Sequence, residues 1–499
     1  MSVYDKYEVV VGLEVHAQLL TKSKAYSADA NQYGEEPNTL VSPVTLGLPG
    51  ALPVMNKKSV ELAIRMGFAT SCSIRTFNAF SRKNYFYADL PKGYQITQFD
   101  TPICNDGFIE IQVQGVKKKI EIERIHLEED AGKSIHDIDP FHTLVDLNRA
   151  GVPLIEIVSR PDIRSSDEAH AYLTEIRKLV RYLDVCDGNM EEGSLRCDAN
   201  ISVRLKGASA FGQRVEVKNM NSIRNVKKAI EHEFIRQIDV IEAGGKIFQE
   251  TRNFDAVTGT TSSMRTKELA HDYRYFPEPD LLPVVLTESY LQEVKSQMPA
   301  LPSELKLKFQ TEWNLSEYDA TLLTEDKKLA EYMLALTDAS SDPKASANWL
   351  LGPVKAWMNE YALEMNDFPI PVTRMSELIQ IIKEGSTNFS VASTKIFPEM
   401  LQNIELHPLE IAKNLNLIQN RDEDSIKTWI EEVLQMYPGK VENCISLDTI
   451  VRVKNLTLVC ISLSIQSLEN WLSRFVLSGI YSVVDRQCNC RVVGICFFM

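Results

Sequence analysis

The sequence predicts an α+β protein: an N-terminal domain on a mixed or antiparallel β-sheet with flanking helices, then an all-α domain and a C-terminal helical tail. Three observations carry this expectation. From Leu195 to Arg204 the residues alternate strictly, with Leu195, Cys197, Ala199, Ile201 and Val203 on one face and Arg196, Asp198, Asn200, Ser202 and Arg204 on the other, the period of a half-buried strand. Val215 and Val217 then alternate with Arg214, Glu216 and Lys218 after a Gly-containing loop, so a second strand can pair with the first and put both polar rows on one sheet face. From about residue 288, beyond Pro279 and Pro283, the pattern becomes mainly helical. The expected domains are 1–295, 296–405 and 406–499, in line with a length that suggests about three domains.

The elements follow in order. Residues 7–16, YEVVVGLEVH, read as a buried strand whose period of two puts Glu14 and His16 on one face, a workable metal or phosphate position or a structural ion pair. Gly47-Leu48-Pro49-Gly50, between Pro43 and Pro53, marks a tight turn. Arg82, Lys83, Tyr85, Phe86 and Tyr87 interleave cations with aromatics, which suits an RNA end or a nucleotide base as well as an aromatic core edge with snorkelling cations.

Residues 121–134, EIERIHLEEDAGKS, end in half of a phosphate-binding loop, but a P-loop needs a glycine where Leu127 stands. Glu128, Glu129 and Asp130 just before it offer oxygen ligands that a hard cation such as Mg²⁺ takes. The same triple also suits a solvated acidic turn.

Asn148 to Pro153 form a punctuated loop into the apolar strand Leu154 to Val158, and Ser165 to Leu183 reads as an amphipathic helix. Residues 216–222 lead into a helix carrying Lys227 and Lys228, whose N-terminus can receive an anion. Phe368-Pro369-Ile370-Pro371 breaks the later helical run, and short helices resume over 373–437, with Asp422 to Asp424 ahead of Trp429.

The net charge of −14 argues against broad nucleic-acid affinity, which comes from cationic neutralisation of phosphates; an RNA partner would have to meet local basic patches. The N-terminus shows neither a signal nor a transit pattern, so a cytoplasmic, bacterial setting without a membrane is expected. Of nine cysteines, the first four are scattered without metal spacing, and five crowd into the last 56 residues.

Seven motifs in order, GLEVHAQL (12–19), RKNYFYADLPKGYQITQFD (82–100), HLEEDAGKS (126–134), NRAGVPLIEIVS (148–159), GSLRCDANISVR (193–204), VEVKNMNS (215–222) and HDYRYFPEPDL (271–281), resemble the B-subunit family of the aspartyl/glutamyl-tRNA amidotransferases over roughly residues 1–440. The resemblance implies a catalytic cradle in the N-terminal domain and a heterotrimer with two partners, the amidase (the A-subunit) and a small protein (the C-subunit). It implies ATP and Mg²⁺ as cofactors and misacylated tRNA(Gln) or tRNA(Asn) as substrate. The side-chain carboxylate of the attached Glu or Asp is phosphorylated, and ammonia released in the amidase displaces the phosphate to give the amide.

On that reading the substrate is the nucleophile, and the protein supplies positioning and charge neutralisation. Glu14, His16, Glu129 and Asp198 are the expected catalytic residues, and with Glu128 and Glu216 the expected metal ligands. Lys83, Lys133, Arg196, Arg204 and Lys218 are the candidates for phosphates or the aminoacyl end. Arg82 and Lys83 are expected to serve that end with little effect on folding. A non-catalytic tRNA-docking scaffold in the same complex is the alternative, and a stand-alone ATP-dependent ligase a third reading.

The sequence departs from the family twice. Many members hold zinc through cysteines before the GLPG turn, where Ser27, Asp29, Ser42 and Thr45 stand here; zinc is not expected, because this donor set does not replace four thiolates. The family's Lys-rich tail should continue past Lys440, but residues 441–499 hold one lysine and five cysteines. This segment is expected to be foreign to the family's fold, so that truncation after Lys440 improves solubility; a diverged tail with the same fold is the alternative.

Overall fold

The computed structural model describes residues 2–136, 138–266, 273–418, 450–453 and 456–459. The chain divides into two compact units, Met1–Phe368 and Pro369–Met499. In chain order the strands of the first unit begin with β1 (Tyr7–Gln18), β2 (Ser73–Ile74), β3 (Phe77–Asn78), β4 (Ser81–Asn84), β5 (Tyr94–Thr97) and β6 (Cys104–Val113). They continue with β7 (Val116–Glu129), β8 (Lys133–Ile135), β9 (Leu144–Asp146), β10 (Pro153–Ser159), β11 (Leu195–Leu205) and β12 (Val215–Met220). Last come β13 (Glu250–Asp255), β14 (Thr260–Thr266), β15 (Arg274–Pro277) and β16 (Val284–Val285).

Twelve of these strands form one sheet in the order β14-β13-β12-β11-β1-β10-β7-β5-β4-β15, with β6 on β7 and β2 on β6. All its pairings are antiparallel except β12 with β13. The strand β1 is its centre, flanked by β11 and β10. Alternation along β1 buries Val9, Val11, Leu13, Val15 and Ala17 and leaves Gly12, Glu14, His16 and Gln18 half-buried on the other face, as a period of two requires.

The apolar face is covered by helices. Besides the short α1 (Pro43–Leu46), these are α2 (Lys57–Ala69), α3 (Ser166–Tyr182) and α4 (Ile223–Glu242). Their Leu62, Ile64, Tyr172, Leu173, Ile176, Val226 and Ile230 join the inward residues of β1, β10 and β11 in one core. The ends of α3 and α4 are set by local chemistry: the Ser165 hydroxyl accepts from the Glu168 N–H and that of Ser222 from the Asn225 N–H, satisfying donors the first turn leaves open.

Glu233 on α4 is fully buried. It receives two bonds from Arg236, at 2.9 and 2.8 Å, and one from Gln237 at 3.1 Å, with Arg252 of β13 at 3.2 Å. This cluster pins the β13–β14 ribbon to the helix.

The helices α5 (Glu288–Ser296), α6 (Pro302–Thr311), α7 (Glu317–Leu323), α8 (Lys327–Ser340), α9 (Pro343–Trp349) and α10 (Lys355–Tyr361) complete the first unit. Between α9 and α10 the helix loosens to a π turn at Leu350–Val354, where Pro353 removes a donor. The described part of the second unit holds α11 (Val372–Lys383), α12 (Phe389–Val391), α13 (Phe397–Gln402) and α14 (Pro408–Asn414), and a paired β17 (Ile450–Val453) and β18 (Leu456–Val459). Asp422, Asp424, Trp429, most of residues 441–499 and the His271-Asp272 start of one motif lie outside the described residues. No described helix is long and apolar enough to cross a membrane.

Candidate active site

The polar face of the sheet's centre gathers side chains from five adjacent strands. Antiparallel register sets Glu14 opposite Asp198 and His16 opposite Arg196, His16 opposite Glu156, Glu156 opposite His126 and Asn200 opposite Glu216. Directly opposed residues share a face, so a continuous polar strip runs from β12 through β11, β1 and β10 to β7.

At one end Lys218 is held between Asp198, a direct contact, and Glu216 at 3.0 Å. Asn200 donates to Glu14 Oε1 at 2.9 Å. At the other end Glu156 Oε2 lies 3.4 Å from both His16 Nε2 and His126 Nε2, and His126 Nε2 lies 3.7 Å from Glu128 Oε2. Arg196 reaches Asp130 at 2.6 Å, and Gln18 donates to the same carboxylate at 2.8 Å.

The charges are strongly coupled. Burial alone would raise Glu156, but His126 and His16 override it and hold the carboxyl well below the usual range. Burial would raise Glu128 too, yet Lys83 and His126 outweigh it and lower that acid. Burial disfavours the His16 cation, but the Glu156 carboxylate more than compensates and raises that pKa. Glu14 is the exception: burial, then repulsion from Glu156 and Glu216, raises it despite Lys218 and His16.

A carboxyl raised in the folded state stabilises the fold only while protonated. Its contribution is complete below the unfolded pKa and is lost as pH rises through the folded one. Glu14→Gln is therefore expected to raise the thermal midpoint of the free chain at neutral pH, with the gain shrinking as pH falls toward the 4.5 of an ordinary glutamate. Melting curves across that range test this; a lower midpoint for the variant at neutral pH would contradict it.

Three acceptors, on His16, Glu128 and Glu156, lie within 4.8 Å of one another. Among the described residues, Glu128 Oε2 is buried without a hydrogen-bond partner, as is Arg196 Nε. An orphaned carboxylate oxygen facing an imidazole and a second carboxylate fits a hard divalent cation, which takes oxygen ligands readily and dehydrates reluctantly; the donor set is compatible with Mg²⁺.

The structure brings Glu14, His16, Glu128, Asp198, Arg196, Glu216 and Lys218 to this strip, and Lys83 faces its Glu128 end, with Glu128 first among the charges acting on it. Glu129 is placed elsewhere. Adjacent residues of a strand point to opposite faces, and its carboxylate takes the Lys92 ammonium and the Ile96 N–H at 2.9 Å. Arg204 sits at the far end of β11, paired with Glu8 at 2.7 Å. Lys133 is exposed on the separate β8–β9 ribbon, where no helix follows Gly132-Lys133. Gly132 is there for close approach: a Cβ would meet the Asp146 and Asp89 carbonyl oxygens at 2.9 Å.

Two members of the cluster, His126 and Glu156, are not among the residues expected from sequence. Arg82 also differs from expectation. Its guanidinium grips the fully buried Glu278 at 2.7 and 2.9 Å and covers the Tyr94 ring at 4.3 Å, so it is a structural cation and not a free one.

Ser27, Asp29, Ser42 and Thr45 do come together, around the Asp29 carboxylate. Ser27 donates to it at 2.9 Å and Thr45 more closely; burial would raise this acid, but Thr45, Ser42 and Ser27 lower it. Beside it Lys24 is fully buried, donating to the Leu40 carbonyl at 2.6 Å, and burial lowers its pKa to about 8.

A model of the GatB/GatE catalytic domain matches residues 9–292, and one of the GatB domain matches 331–449, so residues 450–499 lie outside both. The B-subunit of the aspartyl/glutamyl-tRNA(Asn/Gln) amidotransferase of Thermodesulfovibrio yellowstonii is 50% identical over 437 residues, 88% of this chain and 91% of the relative. That of Geotalea uraniireducens is 50% identical over 440 residues, again 88% and 91%, and that of Geobacter sulfurreducens 48% over 439, 87% and 91%. With relatives half identical across most of both chains and a domain match over more than half of this one, the chain belongs to the GatB family of amidotransferase B-subunits.

Proposed function

We propose that this chain carries out the kinase and amidation steps of an ATP-dependent aminoacyl-tRNA amidotransferase. It acts on Glu carried by tRNA(Gln) or Asp carried by tRNA(Asn), in a heterotrimer with the amidase and the small C-subunit. The observation that carries this reading is the buried His16–Glu156–His126–Glu128 cluster, with an orphaned oxygen, opening onto a strip of alternating charges.

The chemistry asks little covalent work of the protein. A side-chain carboxylate oxygen of the tRNA-linked acid bonds to the γ-phosphorus while the bond to the bridging oxygen of ADP breaks. Ammonia then attacks the acyl carbon, inorganic phosphate leaves and the amide remains, the ammonium proton passing to solvent. The described cysteines, Cys72, Cys104, Cys186 and Cys197, are buried, and burial raises each thiol, Cys186 to about 12, so none offers a thiolate nucleophile.

His16, Glu128 and Glu156 would hold Mg²⁺. A cation held there supplies charge neutralisation for the phosphates. Lys218 and Arg196 add positive charge along the strip, and the free Nε–H of Arg196 is an available donor. Asn200 fixes the Glu14 carboxylate, on which Lys218 and the His16 imidazole both act.

Reconstitution of the heterotrimer tests the reading. ATP hydrolysis is expected to depend on misacylated tRNA, and hydroxylamine is expected to trap an acyl phosphate on that tRNA. Tight tRNA binding without tRNA-dependent ATP turnover would favour the scaffold reading instead.

A further inference from the structure

Beside Lys83 the strip ends against aromatic rings that the carboxylate cluster does not use. Phe99 and Tyr275 stack with centroids 4.0 Å apart and planes 14° apart, while Phe99 remains 52% exposed. Strand register locates this pair relative to the chemistry. Tyr275 is directly opposite Lys83 across β15 and β4, so both side chains stand on one face. Thr97, two residues before Phe99, is directly opposite Glu128. On its other flank Lys83 Nζ lies 5.0 Å from the Tyr273 ring centre, and that ring meets Tyr85 edge-on at 5.6 Å.

A half-open ring backed by a parallel partner is a rigid π platform, and base–aromatic stacking on such a platform is sequence-tolerant. The adjacent ammonium, which already acts on the buried Glu128, suits an anionic or polar group, and beyond it lies the Glu128 carboxylate with its unpartnered oxygen. A purine nucleoside carrying an anionic or esterified end meets these demands in order: flat base, ribose, charged or reacting group. An aliphatic partner would cover the ring without using its π face.

We propose that the exposed face of Phe99, backed by Tyr275, seats the adenine of an adenosine whose substituted end passes Lys83 toward Glu128. The proposal rests on the functional reading above and extends it to the base. ATP and the 3′ end of the tRNA both present an adenosine, and the experiment separates them.

The assay uses the reconstituted heterotrimer with Phe99→Ala, Phe99→Leu or Phe99→Trp, measuring the apparent constants for ATP and for misacylated tRNA separately, with glutamine hydrolysis as internal control. Leu keeps apolar contact with Tyr275 but has no π face, so it guards against a packing effect. The Ala and Leu variants are expected to raise one constant about tenfold, the order of one lost base stack, with kcat at saturation preserved and Trp close to wild type. A rise confined to ATP assigns the platform to the nucleotide, and a rise confined to tRNA assigns it to the terminal adenosine. Unchanged constants in both Ala and Leu variants, or a Trp variant as weak as Leu, would overturn the proposal. A wild-type complex without tRNA-dependent ATP turnover would instead defeat the functional reading, so the two failures are distinguishable.

Discussion

Glu156→Gln is expected to lower phosphorylation of the tRNA-linked acid by at least about 10²-fold, the loss typical when one preorganised electrostatic group is removed from a reacting centre, while glutamine hydrolysis in the amidase is unchanged. Glu156 is the hub of the cluster, with His16 and His126 both 3.4 Å from the same oxygen. The amide keeps the shape but removes the negative charge that both imidazoles and a divalent cation would answer. Stability shows the same loss from another side. A carboxyl lowered by folding stabilises above its unfolded pKa, and that stability disappears as pH falls through the folded one. The variant is therefore expected to melt below wild type at neutral pH, and the two to converge as pH falls below 4.5. Parallel assays of acyl-phosphate formation, glutaminase rate and melting test the set; wild-type phosphorylation by the variant would remove Glu156 from the reaction centre.

Much of the site was legible because its strands alternate. The period of two put Glu14 with His16, and Arg196 with Asp198, on single faces, and the structure sets those rows against each other residue for residue. The β11–β12 hairpin and the helix over 166–182 likewise follow from local pattern and capping residues. What local pattern does not contain is the order of strands far apart in the chain. Glu156 interrupts the apolar run of β10, whose burial on both faces hides which neighbours it meets; only the pairing of β10 with β1 and β7 reveals them. His126 was within reach, since it stands two residues before Glu128 and the rule that joined Glu14 to His16 also joins them. The same rule separates Glu129 from Glu128. Arg204 shares the polar face of Asp198, but a strand rises about 3.3 Å per residue, and six positions carry it to the other end of β11.

Arg82→Ala is expected to destabilise the first unit by about 3–5 kcal/mol, the cost of leaving one member of a buried ion pair without its partner. The neighbouring Lys83→Ala is expected to cost clearly less: Lys83 attracts the buried Glu128 carboxylate without the paired hydrogen bonds that Arg82 makes. Both residues lie on β4, in one run of alternating cations and aromatics, and composition does not distinguish them. Their surroundings do. Arg82 makes a two-pronged contact with Glu278, whose side chain has no exposure, and a third bond at 2.9 Å to Asp280; it also lies over Tyr94. A planar guanidinium suits all of these at once. Because Arg82 lies within the β4–β15 pairing, opposite Phe276, and Glu278 directly follows the last paired residue, Pro277, the loss is expected to loosen β15 and with it Tyr275. Chemical denaturation of the chain alone measures the stability difference, and Arg82→Ala paired with Glu278→Gln separates the pair from the burial. The double variant is expected to recover part of the loss, since it no longer strands a buried carboxylate. An Arg82→Ala chain as stable as Lys83→Ala would mean that Glu278 finds another partner or a proton, and that the β4–β15 edge is not held by this ion pair.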